Sequence, residues 1–208
     1  MEKSRVVKVS SAERSYHIFY ELIAGSSPEE KILYNLEHIT SYNYLKDACF
    51  EVVAVSDATE FNNLKLALSI LNFNTAHIEA LFMCISAILQ IGNLTFDGDN
   101  AKILDDHPVG IIASLMDINK QELLNVLCGK NLVVRTDRTY IPFNPTQASD
   151  NKDVLAKTLY ASIFQHLVAH INISLTTTKA ASTFLGILDI FGFESFVENS
   201  FEQLCKKR

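Results

Sequence analysis

Phe184-Leu185-Gly186-Ile187-Leu188 is an apolar run with no alternation of polar residues. That pattern predicts a strand buried on both faces, as in the middle of a parallel sheet, rather than a strand with one wet side. Such a strand cannot stand alone, because its N–H and C=O groups need partners once water is excluded. The rest of the chain reads as helical and supplies almost no neighbours for it. The expected fold class is therefore mostly α with a few strands, the run being one member of a larger α/β sheet whose other members lie elsewhere.

Helix signals recur along the first 130 residues. Ser10-x-x-Glu13 reads as a capping box opening a helix with Tyr16, Phe19, Tyr20 and Ile23 on one face and Gly25 as its stop. Ser27-Pro28-Glu29-Glu30 is a second box, with proline at the first helical position, ahead of Ile32, Leu33 and Leu36. Ser56-Asp57-Ala58-Thr59 offers caps for a helix through Leu64, Leu68 and Leu71. Asn74 or Thr75 opens another that carries Ile78, Leu81, Phe82, Ile85, Ile88 and Leu89 to a stop at Gly92. Shorter helices follow Pro108 and Asn119.

Leu132-Val133-Val134 and Thr139-Tyr140-Ile141 flank Thr136-Asp137-Arg138 and predict a short hairpin or loop near 131–142. A long helix is expected from about Ser149 through Leu155, Leu159, Ile163, Leu167 and Ile171. Ser200-x-x-Gln203 reads as the cap of a last helix that the chain follows for only a few residues, up to Lys206-Lys207-Arg208.

Composition narrows the function classes. Eighteen Lys and Arg against 24 Asp and Glu give a net charge of −6, with no basic block, so nucleic acid is not an expected partner. Cys49, Cys84, Cys128 and Cys205 are far apart and show no metal or disulfide spacing, which suits a reducing compartment. The charged start, Met1 to Arg5, lacks an apolar segment after it, and the run Ala80 to Leu89 is too short to span a bilayer. The expectation is a soluble chain without a membrane span. His17 and His77 lie in helical patterns without a second ligand at metal spacing and read as structural or exposed histidines. Phe61, Phe73 and Phe82 read as core.

Asp189-Ile190-Phe191-Gly192-Phe193-Glu194 follows the apolar run, at the carboxyl end where open α/β sheets bind ligands. In a phosphate-binding reading Asp189 orients Mg²⁺ or its water shell. Gly192, lacking Cβ, lets its N–H approach a terminal phosphate, and Glu194 pairs with a cation across the cleft. Taken alone, D-x-x-G reads rather as a strand-ending turn with aromatic packing around it.

The wider string from Phe184 to Cys205 resembles the switch II strand, loop and relay-helix start of the myosin motor (head) domain. Glu2-Lys3-Ser4-Arg5-Val6, Glu13-Arg14-Ser15-Tyr16-His17-Ile18-Phe19-Tyr20-Glu21-Leu22, Ala87-Ile88-Leu89-Gln90-Ile91-Gly92-Asn93 and Asp153-Val154-Leu155-Ala156-Lys157-Thr158-Leu159-Tyr160 agree in order. The resemblance implies a partial motor domain. Residues 1–175 would be a mainly helical part of the upper actin-binding cleft, and 183–205 the switch II strand, loop and clipped relay helix of a P-loop NTPase-type core.

It also implies roles for single residues. Asp189 would lie near Mg²⁺, through water, Gly192 would sense the γ-phosphate, and Glu194 would salt-bridge a switch I arginine. Sixteen residues before Asp153, at a position on an actin-contacting loop that in the family is acidic or phosphorylatable, stands Asp137. Without the resemblance Asp137 reads as a solvated loop aspartate between Arg135 and Arg138. Lys157 and Tyr160 read as surface charge and packing.

No G-x-x-x-x-G-K-[ST] occurs in the chain, and no Asn- and Ser-rich switch I precedes Glu2. ATP and Mg are thus expected cofactors of the complete motor and not of this chain alone. The expected partners are the actin filament and the remainder of the motor, in the cytoplasm on the cytoskeleton. The alternative is a helical interaction or regulatory fragment without ATPase activity.

Overall fold

The computed structural model describes residues 2–9, 13–48, 55–134, 137–176, 183 and 185–188. A 3₁₀ turn at Lys3–Val6 leads into α1 (His17–Gly25) and α2 (Pro28–Leu33), and a second 3₁₀ turn covers Ile39–Ser41. Then follow α3 (Asp57–Ile70), α4 (Thr75–Gly92), the two-residue strands β1 (Phe96–Asp97) and β2 (Lys102–Ile103), α5 (His107–Met116) and α6 (Lys120–Cys128). The hairpin β3 (Gly129–Val134) and β4 (Asp137–Pro142) precedes the long α7 (Pro145–Leu175). Both strand pairs are antiparallel.

α4 is the core helix. It packs against α5 and α7, with α1 on its other flank, and Phe82, Ile85 and every residue from Ser86 to Gly92 are buried. Length and composition alone would let α4 cross a membrane; its burial inside the fold accounts for the same apolar content. Phe61 and Tyr34 both meet the Phe82 ring, at centroid distances of 4.8 and 5.9 Å. Phe61, Phe73 and Phe82 are all buried, as expected of core aromatics.

Two glycines allow the close approaches this packing needs. A Cβ on Gly25 would lie 2.4 Å from Cβ of Phe61, and one on Gly92 would lie 2.7 Å from the Tyr44 ring. Gly25 thus brings α1 onto α3, besides ending its helix.

Helix starts follow the caps read from the sequence in most cases. Ser27 and Glu30 form the reciprocal box at α2, Ser56 accepts from Thr59 N–H at α3, Asn74 from His77 N–H at α4, and Asn119 from Gln121 and Glu122 N–H at α6. Three helices stop by a device other than glycine. Asn35, Asn72 and Asp117 take left-handed backbone, with φ of 49°, 63° and 51°. The next residue's N–H returns in each case to a carbonyl five positions back: Leu36 to Lys31, Phe73 to Leu68 and Ile118 to Ala113. These closures satisfy helix-end carbonyls, and Asn and Asp tolerate the conformation better than other side chains.

Four expectations need correction. The first helix starts at His17, not beside Ser10, which lies outside the described residues, and Tyr16 caps it without a side-chain bond. Glu13 is instead drawn 3.2 Å from the Arg5 guanidinium. α2 ends at Leu33, with Ile32 and Leu33 exposed rather than inward. α7 begins at Pro145, because Asn144 and Gln147 form a capping box ahead of Ser149. Finally, residues 185–188 form no strand and are not buried: Leu185 and Ile187 are each 92% exposed and Leu188 82%. A doubly buried strand needs a sheet on both edges, and no strand among the described residues pairs with this segment.

Candidate functional site

Asp189, Gly192 and Glu194 lie outside the described residues, as do the cap at Ser200 and the cysteines Cys49 and Cys205. Asp137 is placed by its backbone. It opens β4 opposite Val134, the last of six register pairs that begin at Gly129 and Pro142. Only residues 135 and 136 connect the strands at that end, so Asp137 stands beside the tip of the hairpin.

The base of the hairpin is tied down from three sides. Phe143 N–H donates to the Cys128 carbonyl at 2.8 Å, and Ala101 N–H donates to the Phe143 carbonyl at 2.7 Å. Tyr140 lies over Gly129, where a Cβ would be 2.5 Å from its ring, and its hydroxyl reaches the Asn125 carbonyl of α6 at 3.3 Å. Asn151 of α7 donates to the Val126 carbonyl at 2.9 Å. Along the strands Leu132, Val133, Tyr140 and Ile141 are exposed. The result is a fixed stem that presents apolar side chains to solvent, with Asp137 at the backbone position beside its tip.

The Asp153 motif, quoted above for its resemblance, serves as a junction. Tyr44 donates its hydroxyl to Asp153 Oδ1 at 2.7 Å, and burial, reinforced by that bond and the Asp153 charge, pushes the Tyr44 phenol far up. Its neighbour Lys152 donates to the carbonyls of Gly92 and Leu94, at 3.0 and 2.8 Å, and so caps the end of α4 from α7. Burial holds the Lys152 ammonium below its ordinary value, against the opposing pull of Asp153. Tyr160 packs as expected, stacked on Tyr16 at 4.6 Å, and burial raises its phenol.

The segment Glu2 to Val6 lies against α7. Arg5 contacts Glu2 at 3.5 Å and Glu13 at 3.2 Å, donates to the Arg14 carbonyl, and its own carbonyl accepts from the Ser15 hydroxyl. Arg14 forms a two-pronged pair with Asp57, at 3.1 and 2.7 Å, and stacks over the Tyr20 ring. These charges hold loop to helix.

One grouping was not legible in the sequence. His77 of α4 meets His166 and His170 of α7, with ring centroids 5.9 and 6.0 Å away, although 89 residues separate His77 from His166. The i, i+4 spacing of His166 and His170 was the available signal. No group of three such side chains among the described residues is placed to hold a metal ion, and His77 is exposed.

The sequence model of the family described as Myosin head (motor domain) matches residues 1–207. Among curated proteins, the chain is 41% identical over 211 residues to Myosin-2 of Arabidopsis thaliana, covering 99% of this chain and 17% of that protein. It is 36% identical over 213 residues to Myosin-I heavy chain of Dictyostelium discoideum, with 99% and 9% covered. It is 37% identical over 211 residues to Unconventional myosin-Va of Homo sapiens, with 99% and 11% covered. The chain spans less than a fifth of the length of each of these relatives.

Proposed function

Because the chain belongs to the myosin head (motor domain) family, we propose that it is a section of an ATP-dependent, actin-based cytoskeletal motor, working in the cytoplasm. The observation that carries this reading is the family match over residues 1–207 together with the string Asp189-Ile190-Phe191-Gly192-Phe193-Glu194 near its end.

The donor types in that string suit the cofactors of the complete motor. Mg²⁺ takes carboxylate and water oxygens, and a glycine N–H can come close to phosphate. Bound Mg·ATP would supply the phosphoryl group and the charge that the surrounding residues stabilise. Asp189 would hold or orient the metal's water, Gly192 would offer its N–H, and Glu194 would pair with an arginine supplied from outside this sequence. Asp137, beside the hairpin tip, would face actin, its fixed acidic charge making that contact independent of phosphorylation.

For the chain by itself the favoured reading is a helical binding module without turnover. The sequence contains no lysine in a G-x-x-x-x-G-K-[ST] setting to reach the β- and γ-phosphates, and positioning plus electrostatic stabilisation is what this chemistry depends on. Phosphate release and fluorescent-nucleotide titration, each with and without actin filaments, test both statements. Actin pelleting without ATP turnover is the expected result. Actin-stimulated turnover by the purified chain would refute the second reading, and failure to pellet with actin would count against the role given to Asp137.

A further inference from the structure

Where α7 packs on α4, the ring nitrogens of His77, His166 and His170 are unused. Among the described residues no hydrogen bond or ion pair reaches any of the three, and their contacts are ring against ring. A neutral imidazole nitrogen without a partner is open to a metal ion.

The three rings do not converge on one point. His77 stands nearly perpendicular to the other two, at 81° to His166 and 89° to His170. A ligating lone pair lies in the plane of its ring, and a ring face offers none, so this T-shaped arrangement does not make a three-ligand centre.

His166 and His170 are related differently. They stand at i and i+4, one above the other on the same face of α7, with ring centroids 6.4 Å apart and planes inclined by 42°. His170 is half-buried and braced against the buried Phe73 ring at 3.9 Å. His166 is exposed. One ring is thus already placed, and the other is free to turn toward it. With about 2.0–2.1 Å for each metal–nitrogen bond, a rotation of His166 brings both rings onto one ion.

The neighbourhood selects the kind of ion. From Tyr160 to Leu175 the chain contains no Asp, Glu, Lys or Arg, so α7 supplies no carboxylate to favour calcium or magnesium there and no fixed cation to repel a metal. Imidazole suits nickel, copper and zinc. We propose that His166 and His170 form a two-imidazole site for a divalent transition-metal ion of that class, with water filling its remaining positions. This reading does not rest on the actin and nucleotide roles given above.

The probe is Ni²⁺, titrated by calorimetry into the full 208-residue chain, and saturable binding is expected. His166→Ala and His170→Ala should each weaken it about tenfold or more, the loss of one arm of a chelate, whereas His77→Ala should leave it nearly unchanged. Affinity should fall as pH is lowered from about 7.5 to about 5.5, because the proton competes for the same nitrogens. Bound Ni²⁺ should also raise the Tm of the parent and not that of His166→Ala, since an ion held across one turn favours the folded helix. No saturable binding, unchanged affinity in His166→Ala with the parent circular dichroism, or an equal loss in His77→Ala would overturn the proposal. If His170→Ala fails to fold, the exposed His166→Ala decides the matter.

Discussion

Tyr44 and Asp153 lie 109 residues apart in sequence and are joined by a 2.7 Å hydrogen bond from phenol to carboxylate. The bond fastens the segment after the second 3₁₀ turn to the first half of α7. Tyr44→Phe keeps the ring against Gly92 and removes only the donor. A hydrogen bond to a charged group is worth about 1.5–3 kcal/mol. The variant should lose stability within that range, measured as a lower urea midpoint at unchanged slope.

Alkaline pH should unfold the chain through its tyrosines. Burial pushes the phenols of Tyr34 and Tyr42 up to about 12, whereas in the unfolded chain they ionise near 10. Between those values the unfolded state has released protons that the folded state keeps, so stability present below pH 10 is lost as pH rises toward 12. Each tyrosine contributes a slope approaching about 1.4 kcal/mol per pH unit. Urea midpoints from pH 8 to 12, with phenolate absorbance as the second signal, check this. Tyr34→Phe should make the decline shallower, and an unchanged profile would contradict the assignment.

Gly25→Ala should destabilise although alanine is the better helix former. The added methyl meets Phe61 at 2.4 Å, and overpacking of this kind costs typically about 1–3 kcal/mol. That exceeds the gain in helix propensity of about 1 kcal/mol. Thermal and urea unfolding of the variant would expose a wrong sign at once.

Asp137→Ala tests the hairpin tip. With the stem held by Phe143, Ala101 and Tyr140, circular dichroism should be unchanged while actin pelleting at low ionic strength weakens several-fold. The difference should shrink as salt is raised, because exposed charges are screened. Equal pelleting of the two proteins would remove Asp137 from the actin contact.

Helix starts were legible wherever an Asx or Ser residue directly preceded the apolar pattern, as at Ser27, Ser56, Asn74 and Asn119. The failures have physical causes. Glu13 answers Arg5 rather than a helix N-terminus, a choice that depends on a residue eight positions away. At α7 the apolar pattern was read from about Ser149, whereas the box at Asn144, with proline behind it, lies further upstream. The stops at Gly25 and Gly92 were legible too, whereas those at Asn35, Asn72 and Asp117 carry no glycine and were not read. Burial of Leu185 to Leu188 depends on neighbours that local pattern cannot supply. Of the candidate site, Asp137 was legible as part of a hairpin. Lys152 and the three histidines meet their partners only through the packing of α4 on α7, and Tyr44 reaches Asp153 from the segment after the second 3₁₀ turn.

The tied stem of the β3–β4 hairpin also bears on how such a chain can diversify. Its register is locked at the end nearest α6 and α7, so residues added or exchanged at the opposite end would leave the helices undisturbed. Natural variation can therefore accumulate at that outer bend, retuning what it touches while the helical body keeps its shape.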